Sequence, residues 1–282
     1  MVAARPLNRT LVGVLCAVLL VGAALAAVRI ADVSSAGAAV PGEVNVAVFF
    51  DPAYTDTSTS GGGEAYNVKT TFEDAGFVVT TFVGVTTSDW TTALAGQQVV
   101  AVPELSNDLE AALEPGAITA IQDFTDAGGR FIVFEGPSNM DTLVNSVFGF
   151  AVTGNSADTC PCTLDIAAAA GTEFEGGPST LEEMNSMGNL SVASLPTGSL
   201  AIYLDDVDPD SSAVTRMPYG SGFVLHFGWD WFFDDEEEAN WPAWFQVLTE
   251  GAGVVTAPPT TSTTTTTPPA EDDPLPPLRF TG

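Results

Sequence analysis

Val44-Asn45-Val46-Ala47-Val48-Phe49-Phe50 is a short, almost continuously apolar run. The turn-forming stretch Asp51-Pro52-Ala53-Tyr54 and the glycines Gly61, Gly62 and Gly63 separate it from a helical pattern that opens at Glu64. A run of this length, β-branched or aromatic at most positions and bounded by polar turn residues, reads as a strand buried on both faces. Outward from it the pattern repeats. Residues 64–75 read as a helix closed by Gly76, 77–83 as a strand, and 90–94 as a short helix after the capping residues Ser88 and Asp89. Residues 99–102 form a further strand stopped by Pro103. Pro115 opens a helix that reaches residue 127, Gly128-Gly129 closes it, and 130–134 is the next strand. Helices alternating with wholly apolar strands require a parallel sheet covered on both faces. The fold class expected is therefore α/β, a mostly parallel sheet with helices on both faces and an irregular, β-rich second half.

That second half carries weaker signals. A helix is expected near 141–148, apolar stretches lie at 164–170 and 200–204, and Ser179 with Glu182 fits a capping box. Gly220-Ser221-Gly222 reads as a hairpin turn between 213–218 and 223–227, and a last helix as running over about 239–251.

Composition excludes one class of function. The 282 residues include 36 acidic and 7 basic side chains, a net charge of -29, and only Lys69, Arg130, Arg216 and Arg279 carry positive charge beyond residue 38. Nucleic acid is not a partner, because phosphate contacts need clustered Lys and Arg. The same surface repels anionic substrates.

Three segments divide the chain. Residues 1–38 resemble an export signal, with Arg5 and Arg9 before the apolar run 11–28 and small-residue cleavage sites at Ala24-Leu25-Ala26 and Ala36-Gly37-Ala38. An uncleaved membrane anchor is the rival reading of that run. Residues 43–253 hold the α/β domain. Residues 254–282 are a Thr/Pro-rich stalk, which cannot bury a core. Its end, Leu278-Arg279-Phe280-Thr281-Gly282, resembles a Leu-Pro-x-Thr-Gly wall-sorting signal, with Arg279 in place of the proline. The expected location is secreted or at the cell surface, with attachment to the wall.

Exported context also decides the cysteines. Cys16 falls inside the signal, leaving Cys160 and Cys162 to form a local disulfide. Zinc would need two further ligands that a single histidine hardly supplies.

Several constellations bear on chemistry. The turn after the first strand lies at the carboxyl edge of a parallel sheet, where open α/β folds place ligands, so Asp51, Tyr54 and Asp56 are candidates to line a crevice with Glu104, Ser138 and Asp230. The glycine run lacks the Gly-Lys-Ser/Thr of a phosphate loop. Asp206, Asp208 and Asp210 stand at the first, third and fifth positions of a calcium-type loop, although Ser211 and Met217 occupy positions where an EF-hand needs Gly and Glu. No cofactor is expected unless calcium binds there. The segment from Trp229 to Phe245 mixes rings and carboxylates, the composition of a carbohydrate-binding face, although packing of those rings in the core is the favoured reading.

Three blocks together resemble exported bacterial domains of the class I glutamine amidotransferase-like superfold: Val46-Ala47-Val48-Phe49-Phe50-Asp51 with its helix, residues 127–134, and residues 219–232. The resemblance covers about residues 44–250 and implies a flavodoxin-like α/β domain. Catalytic members carry a cysteine on a Gly-x-Cys-x-Gly elbow and a His-x-Glu pair near a late strand. Here the elbow reads Glu135-Gly136-Pro137-Ser138-Asn139. Without the cysteine, the expectation is a non-catalytic surface domain that binds or scaffolds. The alternative is a secreted serine hydrolase using Ser138, His226 and an orienting Asp230 or Glu135.

Overall fold

The computed structural model describes residues 44–59, 63–135, 140–155, 160–233 and 238–253. The expected export signal, the stalk, Gly61, Gly62 and Ser138 lie outside the described residues. Among the described residues, no helix is long and apolar enough to cross a membrane.

The domain is α/β. Strands β1 (Asn45–Phe49), β2 (Val78–Phe82), β3 (Val99–Val102) and β4 (Arg130–Phe134) alternate with helices α1 (Glu64–Asp74), α2 (Thr87–Leu94) and α3 (Pro115–Asp126), and α4 (Met140–Phe148) follows β4. The second half contributes β5 (Cys162–Leu164), the single turn α5 (Ile166–Ala169), β6 (Thr180–Leu181), β7 (Leu190–Ser191), β8 (Leu200–Asp205), β9 (Ser211–Tyr219), β10 (Gly222–Phe227) and α6 (Trp241–Ala252). All ten strands join one sheet, in the order β2-β1-β3-β4-β10-β9-β8-β5-β6 with β7 beside β9. Pairing is parallel from β2 to β10 and antiparallel from β10 to β6. The parallel block is the βαβ grammar of the first half, and the antiparallel block is built from the hairpins of the second.

Period-two alternation explains why the inner parallel strands are apolar along almost their whole length, whereas the edge strand β2, with Thr80 and Thr81, is largely exposed. Val46, Val48, Val99, Ala101, Ile132, Phe134, Leu225 and Phe227 face one layer, where Val68 and Phe72 of α1 and Trp244, Val247 and Leu248 of α6 pack. Ala47, Phe49, Val100, Val102, Phe131, Val133 and Val224 face the other, against Trp90 of α2, Ile121 of α3 and Leu143 and Val147 of α4. β1, β3, β4 and β10 thus each feed two cores.

Three local readings meet the structure differently. α2 starts earlier than the sequence indicates, because Thr86 accepts from the Asp89 backbone N–H while the Asp89 carboxylate reaches back, closing a capping box. Ser179 and Glu182 do not cap a helix: residues 180 and 181 pair with β5 and bury Leu181, and edge pairing outweighs one local cap. Cys160 and Cys162 are joined by a disulfide at the entry to β5.

Candidate functional site

Parallel strands all end at the same edge, so the residues that follow β1, β3, β4 and β10 gather there whatever their separation in sequence. Three carboxyl groups converge at that edge. Glu64 opens α1, Glu104 follows β3 by two residues, and Asp230 follows β10 by three. Their oxygens lie within 4.8 Å of one another, near enough for one cation or one ligand hydroxyl to reach all three.

The chain builds this group with hydrogen bonds between loops. Asn67, one turn into α1, donates its side-chain amide to the Trp231 carbonyl at 3.0 Å, and the Trp231 indole donates to Thr71 Oγ1 at 3.0 Å. These bonds hold the first turn of α1 against the segment after β10. An isolated antiparallel bridge pairs Met187 with Trp229, which brings Ser186 within hydrogen-bond reach of the Asp230 carboxyl. The Ser106 N–H donates to the Tyr54 carbonyl and the Asn107 amide to the Ala53 carbonyl, tying the loop after β3 to the loop after β1. Ser186 and Trp231 both hold positive φ, 53° and 71°. For side chains other than glycine, that conformation persists only where the surroundings impose it.

Electrostatics follow from this crowding. Asp230 is 3% exposed. Burial pushes its carboxyl up to about 8, and the nearby Glu104 and Glu64 add to the rise against hydrogen bonds from the Phe232 N–H and Ser186. Glu64 is pushed up to about 7, first by burial and then by Glu104 and Asp56, against a hydrogen bond from its own N–H. The described cations sit elsewhere: Lys69 pairs with Glu73, Arg216 with Glu173, and Arg130 lies over Phe223 at the start of β4. Near pH 7 Asp230 therefore holds a proton it can donate, with the oxygens of Glu64 and Glu104 as acceptors beside it.

Of the residues expected at this edge, Glu104 and Asp230 come together. Asp56 is close enough to raise Glu64, while its own carboxylate accepts from the Ser58 N–H at 2.8 Å. Asp51 serves as a brace, accepting from Ala53 N–H at 3.0 Å and, across loops, from Gly84 N–H at 2.9 Å. Tyr54 lays its ring against Phe49 at 6.1 Å between centroids. Sequence reasoning missed Glu64, because an acidic residue opening a helix is already explained by the helix dipole.

His226 is fully buried near the end of β10, where its Nε2 hydrogen-bonds the Glu135 carboxylate just beyond β4. Its orienting partner is thus Glu135, while Asp230 belongs to the carboxyl group. Among the described residues, the His226 Nδ1 is buried without a hydrogen-bond partner. Ser138, the expected nucleophile, lies outside the described residues.

The three aspartates expected to hold calcium do not converge. Asp208 accepts from the Asp210 N–H and the Asn155 amide, and Asp210 accepts from the Ser191 hydroxyl and the Ala193 N–H. Their oxygens brace the turn between β8 and β9. Among the described residues the only cation-sized carboxylate group is Glu64, Glu104 and Asp230. Trp229, Trp231 and Trp244 are fully buried, so these rings form core rather than a sugar platform.

No family model matches the chain, and no curated protein matches it. Solved structures share its architecture at low identity. The cytoplasmic protein STM1381 from Salmonella typhimurium LT2 is 14% identical with a TM-score of 0.51, over 73% of this chain and 98% of its own. The mmIFT52 N-terminal domain is 12% identical with a TM-score of 0.50, over 73% and 97%. These likenesses show the fold.

Proposed function

We propose that the chain is a non-catalytic binding domain of an exported cell-surface protein of the amidotransferase-like type, with its ligand seated at the carboxyl edge over Glu64, Glu104 and Asp230. The convergence of these three carboxyl groups, away from the described cations, carries the reading. A proton held on Asp230 beside the Glu64 and Glu104 oxygens is the mixed donor and acceptor set that the hydroxyls of a carbohydrate need. The ends of the described body support outward presentation. Val44 enters β1 and Gly253, beside Arg130, leaves α6 at the opposite, amino edge. Both ends of the described body thus lie away from the carboxyl edge.

The test is retention of the full chain on insoluble chitin, cellulose and peptidoglycan, beside Glu104→Leu and Asp230→Leu. Retention of the parent on one of these, weakened roughly tenfold or more in each variant, supports the reading, since removing one partner of a buried hydrogen bond costs about 1–3 kcal/mol. Equal retention of parent and variants, or none, overturns it.

One observation favours a second reading, a secreted serine hydrolase. Glu135 engages one nitrogen of His226 and leaves the other unpartnered, the arrangement of an oriented general base. A fluorophosphonate probe decides between the two. Labelling of the parent but not of Ser138→Ala establishes the hydrolase, and an unlabelled parent removes it.

A further inference from the structure

A cavity of about 270 Å³ opens between α1 and α6, lined by Thr70, Asp74 and Ala75 on one side and by Phe233, Phe245 and Thr249 on the other. We propose that it is a binding site for a small organic ammonium ion. Three features of its wall select that chemistry.

The rings come first. Phe233 and Phe245 lie 5.6 Å apart between centroids, Phe233 stacks on Trp241 at 4.7 Å, and Phe245 contacts Trp231 at 5.9 Å. Aromatic faces attract a cation held over them, and they do so best where water is excluded.

The polar groups come second, and they can only accept. The Thr70 hydroxyl donates to the Tyr66 and Asn67 carbonyls, and the Thr249 hydroxyl to the Gln246 carbonyl. Thr71, which also lines the cavity, donates to the Asn67 carbonyl and already accepts from the Trp231 indole. Each donor proton is spent within the protein, so a ligand meets Thr70 and Thr249 as lone pairs. Asp74 adds a carboxylate.

The backbone comes third. Thr71, Asp74 and Ala75 belong to the last turn and cap of α1, with Thr70 just before them, at the negative end of its dipole, and no basic residue stands in that turn. A basic side chain would ordinarily be favoured there, and a bound ammonium takes that place.

The same wall disfavours other ligands. An anion meets Asp74 and the dipole. A hydrated metal ion would have to exchange water for one carboxylate and apolar rings, whereas hard cations need several oxygens. A neutral apolar molecule gains the rings but forgoes the electrostatics.

The test compares choline with its neutral isostere 3,3-dimethylbutan-1-ol by calorimetry on the full chain, in buffer of about 0.15 M ionic strength, where distant surface charge is largely screened. Choline is expected to bind about tenfold or more tighter than the alcohol. Asp74→Asn and Phe245→Leu should each weaken choline roughly 3- to 30-fold. The leucine keeps apolar bulk in the wall, and an unchanged melting curve shows that the variant is folded. Asp123→Asn removes an equal charge from exposed α3 on the opposite face and should leave choline affinity unchanged. Equal binding of choline and alcohol, no binding of choline, or an equal response of Asp74→Asn and Asp123→Asn overturns the proposal. The outcome is independent of the polysaccharide test.

Discussion

The side-chain amide of Asn67 donates to the backbone carbonyl of Trp231, 164 residues away, in a buried hydrogen bond of 3.0 Å. That bond fixes the first turn of α1 against the segment after β10, and with it the approach of Glu64 to Asp230. Asn67→Leu leaves the Trp231 carbonyl buried without this donor. A loss of about 1–3 kcal/mol is expected in urea denaturation, with the Trp231 fluorescence altered in the native state.

Stability should depend on pH with a definite sign. The Asp230 carboxyl moves from an ordinary 3.8 to about 8 on folding, and Glu64 from 4.5 to about 7. Between the unfolded and folded values the native state holds protons that the unfolded chain has released, so stability falls as pH rises through that window and levels off outside it. Denaturation at pH 5 and at pH 8.5 should show the parent weaker at pH 8.5 by an amount on the order of a few kcal/mol. Asp230→Asn should shrink the difference. An unchanged slope in that variant would show that general charge repulsion, not this group, sets the pH dependence.

His226 and Glu135 are coupled inside the core, and a double-mutant cycle should show it. Glu135→Leu alone leaves the imidazole buried without a partner for either nitrogen, at a cost of about 1–3 kcal/mol. The double variant Glu135→Leu with His226→Leu should recover most of that loss, because replacing both polar partners by apolar groups is often close to neutral. Additive losses would show that the pair is not coupled.

Gly222 opens β10 where a side chain has no room. A Cβ there would lie 2.2 Å from the Gly129 carbonyl oxygen and 2.3 Å from that of Thr125. Both contacts are backbone and cannot swing aside, so Gly222→Ala should cost roughly 1–3 kcal/mol or more in thermal or chemical unfolding.

Asp51 separates bracing from binding. Asp51→Ala removes the acceptor for Ala53 and Gly84 N–H, joining the loops after β1 and β2, and should lower stability by about 1 kcal/mol per bond. At a temperature where the variant is folded, polysaccharide retention should match that of the parent. Loss of retention without loss of stability would place Asp51 in the site.

The sequence by itself determined what short-range physics controls. Apolar runs at 44–50, 99–102 and 130–134, punctuated by Gly and Pro, announce buried parallel strands, because a strand covered on both faces has no polar side to show. The hairpin at Gly220 and the placing of Glu104 and Asp230 just after strands were legible for the same reason. Tertiary structure decided the rest. Glu64 joins Glu104 and Asp230 only because the strand order places β1, β3, β4 and β10 side by side, and that order is not written in any local window. The aspartates at 206, 208 and 210 carried the right residue types, but neighbouring N–H groups and the Ser191 hydroxyl claimed the oxygens of Asp208 and Asp210 first. Thr180 and Leu181 became a strand because β5 offered an unpaired edge. Local propensity is worth tenths of a kcal/mol to about one per residue, and burial and backbone pairing over long sequence distances outweigh it.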